Sequence, residues 1–176
     1  MTTSFDLANR ALALAGTRST ISDFTSTPEG LYCGLLYNDF RDFMLRQGDY
    51  DFSMAVTGPT PTTAVPGWAF AYQYPANCVR VRQLLPVLID PFDPQPVQWN
   101  ILAGVTQLIV TTLAISDIII TSNAVIETFW DSMFTDSFVR LLSSGVAMAL
   151  ENRLELHKTT INEALQFAAQ ANVRDS

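Results

Sequence analysis

The spacing of apolar residues changes twice along this chain, and those two changes limit what it can fold into. Up to about Gln47 apolar side chains recur at intervals of three and four, which is the spacing of a helix face. From Val79 to Ile120 they alternate or run in short blocks, as strands do, and from Phe134 helical spacing returns. The expected organisation is a helical domain, residues 1–58 and 127–176, interrupted by a β domain, residues 67–125, with a proline-rich connecting loop at 59–66. The expected fold class is α+β: a four-helix bundle with an antiparallel β unit, sandwich or meander, inserted between its second and third helices.

The stretch Pro66–Arg82 stands at the first change. Pro66 and Pro75 bracket four aromatics in seven residues, Trp68, Phe70, Tyr72 and Tyr74, before Val79-Arg80-Val81-Arg82 alternates apolar with charged. A proline-fixed aromatic joint can clamp packed layers in one orientation. Trp68, Phe70, Tyr72, Tyr74, Arg80 and Arg82 are therefore the candidate junction between layers or subunits. The plainer reading of the same residues is a buried strand with its lead-in loop. Arg80 and Arg82 can meet a phosphate or pair with the chain's many acids.

Ser4, with Asp6 in the first turn, suits the start of a helix that Gly16 ends. Thr27-Pro28-Glu29 is a stronger start signal: a capping hydroxyl, a proline where a missing N–H costs nothing, and an acid at the positive helix end. That helix runs to about Gln47, with Leu31, Tyr32, Leu35, Leu36, Phe40, Phe43 and Met44 as its apolar stripe and Gly48 as its end. Residues 49–56 are aromatic and left open, and the three prolines of Gly58–Pro66 mark a loop. Strands are expected at Cys78–Leu85, Val97–Leu102, Val105–Thr112 and Asp117–Thr121, with Pro86–Pro96 as a second loop and Ala103-Gly104 as a hairpin turn. A long, nearly all-apolar helix begins near Thr128 or Asp131 and is expected to be central. Thr160-Ile161-Asn162-Glu163 is a capping box for a last helix.

Charge bears on function. Charged residues make up 15% of the chain, against about a quarter in ordinary soluble domains, and the formal net charge is −7. Such a chain points to a protomer partly covered by neighbours, and its acidity argues against tight nucleic-acid binding, which needs a basic footprint. The two cysteines, Cys33 and Cys78, make no disulfide framework and read as small buried hydrophobes. No signal peptide is expected from the first residues, and the most apolar run, Leu108–Ile120, is too short and too polar to cross a bilayer.

Motifs for catalysis are weak. The single histidine, His157, has no zinc-ligand or triad partners at recognisable spacing. Asp39 with Asp42, and Glu151 with Glu155, share helix faces, the minimum for a two-carboxylate hydrolase. Paired acids on a helix are more simply a solvated surface. No phosphate-cradling loop or dinucleotide fingerprint is present.

Several segments, in order, resemble the head-to-tail adaptor (tail tubular protein A) family of short-tailed bacteriophages. They are Ala11-Leu12-Ala13-Leu14-Ala15-Gly16, the run Leu36–Leu45, the aromatic segment Tyr50–Ala55, the hallmark Gly67–Pro75 continuing into Cys78-Val79-Arg80-Val81, and the helix from Phe129-Trp130-Asp131 onward. The chain departs from the family pattern at Tyr50, where Trp is more usual, and at Tyr74, where Leu commonly precedes the proline. The resemblance implies a structural virion protein without catalysis, metal or cofactor, and the four-helix fold with a β insertion.

It also implies a dodecameric ring at the head–tail junction, made in the host cytoplasm, between the portal protein and the tail nozzle protein (tail tubular protein B). DNA would pass through the lumen without specific binding, and no membrane is a partner. The helical part is expected to form the ring wall. The segment from about Phe167, with Val173, Arg174, Asp175 and Ser176, is expected to reach the portal. Pro91, Phe92, Asp93 and Gly104 are expected to face neighbours or the nozzle. The rival readings are a carboxylate-dependent cell-wall hydrolase of the virion and a ligand-binding α+β domain.

Overall fold

The computed structural model describes residues 2–87, 97–151 and 166. The chain divides into two compact units: the described residues up to Ser53 together with those from Ala124, and Met54–Asn123.

The first unit holds the helices. Helix α1 spans Ser4–Leu14, and its N-cap is Thr3 rather than Ser4. The Thr3 hydroxyl accepts from the Asp6 amide at 3.2 Å while the Asp6 carboxylate accepts from the Thr3 amide at 2.9 Å, a reciprocal capping box. Its end follows a Schellman pattern. Gly16 adopts φ 83°, its N–H donates to the Ala13 carbonyl, and that of Thr17 donates to the Leu12 carbonyl. Helix α2 spans Pro28–Gln47 and begins as the sequence suggests, the Thr27 hydroxyl accepting from the Gly30 amide at 3.1 Å. Helix α3, Ser132–Glu151, starts where Asp131 Oδ1 accepts from the Phe134 amide at 2.8 Å.

α3 is the central helix, and α1 and α2 both pack on it. Small buried residues, Ser137, Ser143, Ser144 and Ala147, allow the close approach. At Gly145 a Cβ would stand 2.7 Å from the Phe40 ring and 2.8 Å from Leu36 Cδ1. Gly30 and Gly34, by contrast, make room for the loop before α2: their Cβ atoms would meet the Asp23 carbonyl at 2.7 Å and Phe24 Cβ at 2.9 Å.

Aromatic rings gather around this packing. Tyr37 meets Phe138 edge-on at 4.9 Å, Trp130 meets Phe134 and Phe138 edge-on, and Tyr50 and Phe52 close on Phe134 at 4.9 and 5.0 Å. Tyr50 is also the reason for Gly48. With φ −144° the backbone there is extended, but a Cβ would lie 2.9 Å from the Tyr50 ring.

The second unit is two three-stranded antiparallel sheets rather than one four-stranded unit. In the first, strands β1 (Met54–Thr57), β6 (Ile115–Ser122) and β3 (Cys78–Pro86) lie in the order β1-β6-β3. In the second, β2 (Phe70–Gln73), β5 (Leu108–Thr111) and β4 (Trp99–Leu102) lie in the order β2-β5-β4. One core serves both: Val81, Leu84, Ile118 and Ile120 from the first sheet, Tyr72 and Ile109 from the second. The alternation of Val79 and Val81 is shifted by an irregularity between Val81 and Gln83, so the next inward residue is Leu84.

The proline loop belongs to this unit. Thr62 N–H donates to the Ala71 carbonyl and Gln73 N–H to the Thr60 carbonyl, so residues 60–62 line the edge of β2, with Pro61 opposite Tyr72. Pro61 is tolerated because in this pairing its nitrogen points away from the sheet, and the missing donor closes the edge to further strands.

The expectation of a four-helix bundle is corrected. The described residues contain three α-helices and two separate three-stranded sheets. The last helix expected from Thr160 lies outside the described residues. The additional strands, β1 and β2, carry no inward apolar alternation: β1 turns Met54 and Val56 outward, and β2 buries the adjacent pair Ala71 and Tyr72.

Candidate assembly surfaces

The stretch expected at the joint lies wholly within the second unit, since the chain passes from helical to β structure between Ser53 and Met54. Val65-Pro66-Gly67-Trp68 forms a turn closed by the Trp68 amide on the Val65 carbonyl at 3.1 Å. Gly67 takes φ 88°, the conformation that Pro-Gly at the centre of a type II turn provides. Trp68 is half-buried and precedes β2. Phe70 is exposed at one end of β2. Tyr72 is buried, and its phenol oxygen accepts from the Ile115 amide at 3.3 Å, joining the two sheets. Tyr74 is half-buried against the core. Its side chain hydrogen-bonds Cys78, which opposes the upward push that burial exerts on that thiol.

Arg80 and Arg82 converge on Thr121. Arg80 stands opposite it in the register, and Arg82, at the bulge, donates from Nε to the Thr121 hydroxyl at 2.8 Å. Gly104 lies in the exposed loop between β4 and β5, beside Val105, whose surface is fully open to solvent. Pro91, Phe92 and Asp93, and the C-terminal Phe167, Val173, Arg174, Asp175 and Ser176, lie outside the described residues, as do Glu155 and His157.

Of the carboxylates considered for hydrolysis, Asp39 and Asp42 lie about one turn apart on α2. Asp39 is exposed on α2, and Asp42 pairs with Arg41 at 3.0 Å. Cys33 is fully buried, and burial, then the charge of Glu29, pushes its thiol up to about 11. Tyr37 is raised well above the ordinary phenol range by burial first, then by Glu127, whose carboxylate accepts from its hydroxyl at 3.0 Å.

Apolar side chains left on the surface were not legible as such in the sequence. Leu31, Tyr32, Leu35 and Phe43, read as part of the inward stripe of α2, are exposed, Leu35 by 68%. In the second unit Phe70 and Trp99 flank Thr111 in one cross-strand row, each more than a third exposed, and Met54 and Val56 are exposed on β1. Residues 54–123 also carry only five charged side chains, Arg80, Arg82, Asp90, Asp93 and Asp117. A domain of that length ordinarily has about three times as many. Such a surface is one that water covers poorly.

No protein-family model matches this chain, and no curated protein matches it. Among the described residues no helix is long and apolar enough to cross a membrane, and no three metal-ligating side chains gather.

Proposed function

We propose that this chain is a structural virion protein, a head-to-tail adaptor protomer whose copies form a ring between portal and tail nozzle and line part of the DNA ejection channel. The observation that carries this reading is the β unit's near absence of charge together with its exposed apolar side chains. Such a surface favours a permanent assembly over a freely diffusing enzyme or carrier. The excess of acids over bases, net −7, fits a conduit: it repels the phosphate backbone and lets DNA pass without holding it. The ordered resemblance from Ala11 to Asp131 supports the choice of that family. The exposed β4–β5 loop, with Gly104 and Val105, is the described part of the surface assigned to a neighbour or the nozzle.

The test is electron microscopy of the purified protein mixed with portal rings of its phage. The adaptor reading expects a collar of added density on one end of the portal. Portal rings that remain bare at saturating protein would remove it.

A further inference from the structure

The second sheet has two edges. At β2 the segment 60–62 takes the outward Ala71 carbonyl and Gln73 amide, and Pro61 closes that side. The other edge is β4, beyond which no described strand lies. None of the usual protections is present there. From Val97 to Ser116 the chain has no charged residue and no proline, and the β4–β5 register runs without a bulge. An edge of that kind is a template for pairing with another extended chain.

The hydrogen-bond pattern shows which groups an incoming chain would use. Along an antiparallel pair, residues alternate between turning their backbone groups towards the partner strand and away from it. The Thr112 amide donates to the Gln98 carbonyl at 3.1 Å, so Gln98, Asn100 and Leu102 turn theirs towards β5. Trp99 and Ile101 turn theirs to the outer side, and an added strand would have to pair with these two residues. The Ile101 amide is already engaged: it donates to Asn100 Oδ1 at 2.8 Å. A strand arriving at β4 must break that bond or leave one of its own carbonyls unpaired, and either costs free energy.

We propose that Asn100 guards the β4 edge, its side chain holding the Ile101 amide and so keeping extended chains, β4 of a second copy among them, from adding to the sheet. The guard is uncharged, so it protects the edge without making the neighbouring surface more polar than an amide requires. The exposed rings of Phe70 and Trp99 are left as the way onto this sheet, through side chains rather than through strand pairing. The inference rests on the β unit alone and stands whether or not the chain is an adaptor.

The test compares three variants of the full chain with the parent. Asn100→Ala removes the acceptor, and Asn100→Asp keeps one. Gln98→Ala removes an amide two residues away, on the same face of β4. All are warmed at high salt, which screens the added carboxylate. Association is followed by the loss of soluble protein and by an amyloid-binding dye, and amide exchange is read residue by residue in the product.

Asn100→Ala is expected to associate several-fold faster than the parent and to give a product in which the Ile101 amide is protected from exchange. Asn100→Asp and Gln98→Ala are expected to keep the parent's rate. Asn100→Ala associating no faster than the parent would overturn the proposal. So would equal acceleration by Asn100→Asp or Gln98→Ala, which would mark a general loss of stability or polarity, or a product whose Ile101 amide still exchanges freely.

Discussion

The backbone amide of Ile115 in one sheet of the β unit donates to the phenol oxygen of Tyr72 in the other, at 3.3 Å, and both residues are about 5% exposed or less. Tyr72→Phe keeps the ring in the shared core but leaves a buried N–H without its acceptor, at a cost of about 1–3 kcal/mol. Urea unfolding should show the midpoint falling with the slope unchanged. A variant as stable as the parent would mean that this bond does not hold the sheets together.

Gly30 is the second position where one atom decides the outcome. Gly→Ala in a helix ordinarily gains about 1 kcal/mol. Here the new Cβ would stand 2.7 Å from the Asp23 backbone carbonyl, which cannot swing aside as a side chain can. Gly30→Ala is therefore expected to destabilise by roughly 1–3 kcal/mol, measured as a lower thermal midpoint.

Asp23 organises the loop before α2. Its carboxylate accepts from the amides of Thr25 and Ser26 and from both hydroxyls, and these bonds, the Thr25 amide first, bring its pKa down to about 2. The depressed value means that Asp23 stabilises the fold fully above its ordinary 3.8 and loses that effect as pH falls towards about 2. The thermal midpoints of the parent and Asp23→Ala should differ at pH 6 and converge across that window. A gap independent of pH would contradict it.

Cys33 and Tyr37 set the opposite limit. Both are raised by burial, Cys33 from 9.0 to about 11, so both contribute fully below their ordinary values and progressively less as pH rises through the folded ones. The helical unit should lose stability from pH 9 upward, and Cys33→Ala should flatten the first part of that loss. At pH 8 a thiol reagent should leave Cys33 unmodified until the chain is unfolded.

What the sequence disclosed and what it hid divide along the range of the interactions. Thr27-Pro28-Glu29 predicts the start of α2 because a cap is settled within four residues, and Gly16 predicts the end of α1 for the same reason. Thr3 took the cap from Ser4 because only its hydroxyl stands three residues before Asp6. β1 and β2 were hidden because their burial does not follow an alternation of apolar residues. Pro61 was hidden because the rule against prolines in ladders does not apply at an edge.

The aromatic cluster was hidden by distance. Tyr37, Tyr50, Trp130 and Phe138 come from segments that meet only in the folded unit, whereas the conspicuous Trp68–Tyr74 run spreads its rings between turn, sheet and core. The apolar side chains of α2 were visible in the sequence. Their division between α3 and the open surface depends on where α3 packs, which helical spacing alone does not state.

We propose that copies of this chain complete their burial against one another at the neck of a short-tailed phage. The most direct measurement is a virion preparation from which this polypeptide alone is missing, imaged by electron microscopy and assayed for DNA ejection. The account predicts heads whose portals bear no nozzle and that leak or fail to deliver DNA. Intact, tailed, ejection-competent particles without the chain would contradict it.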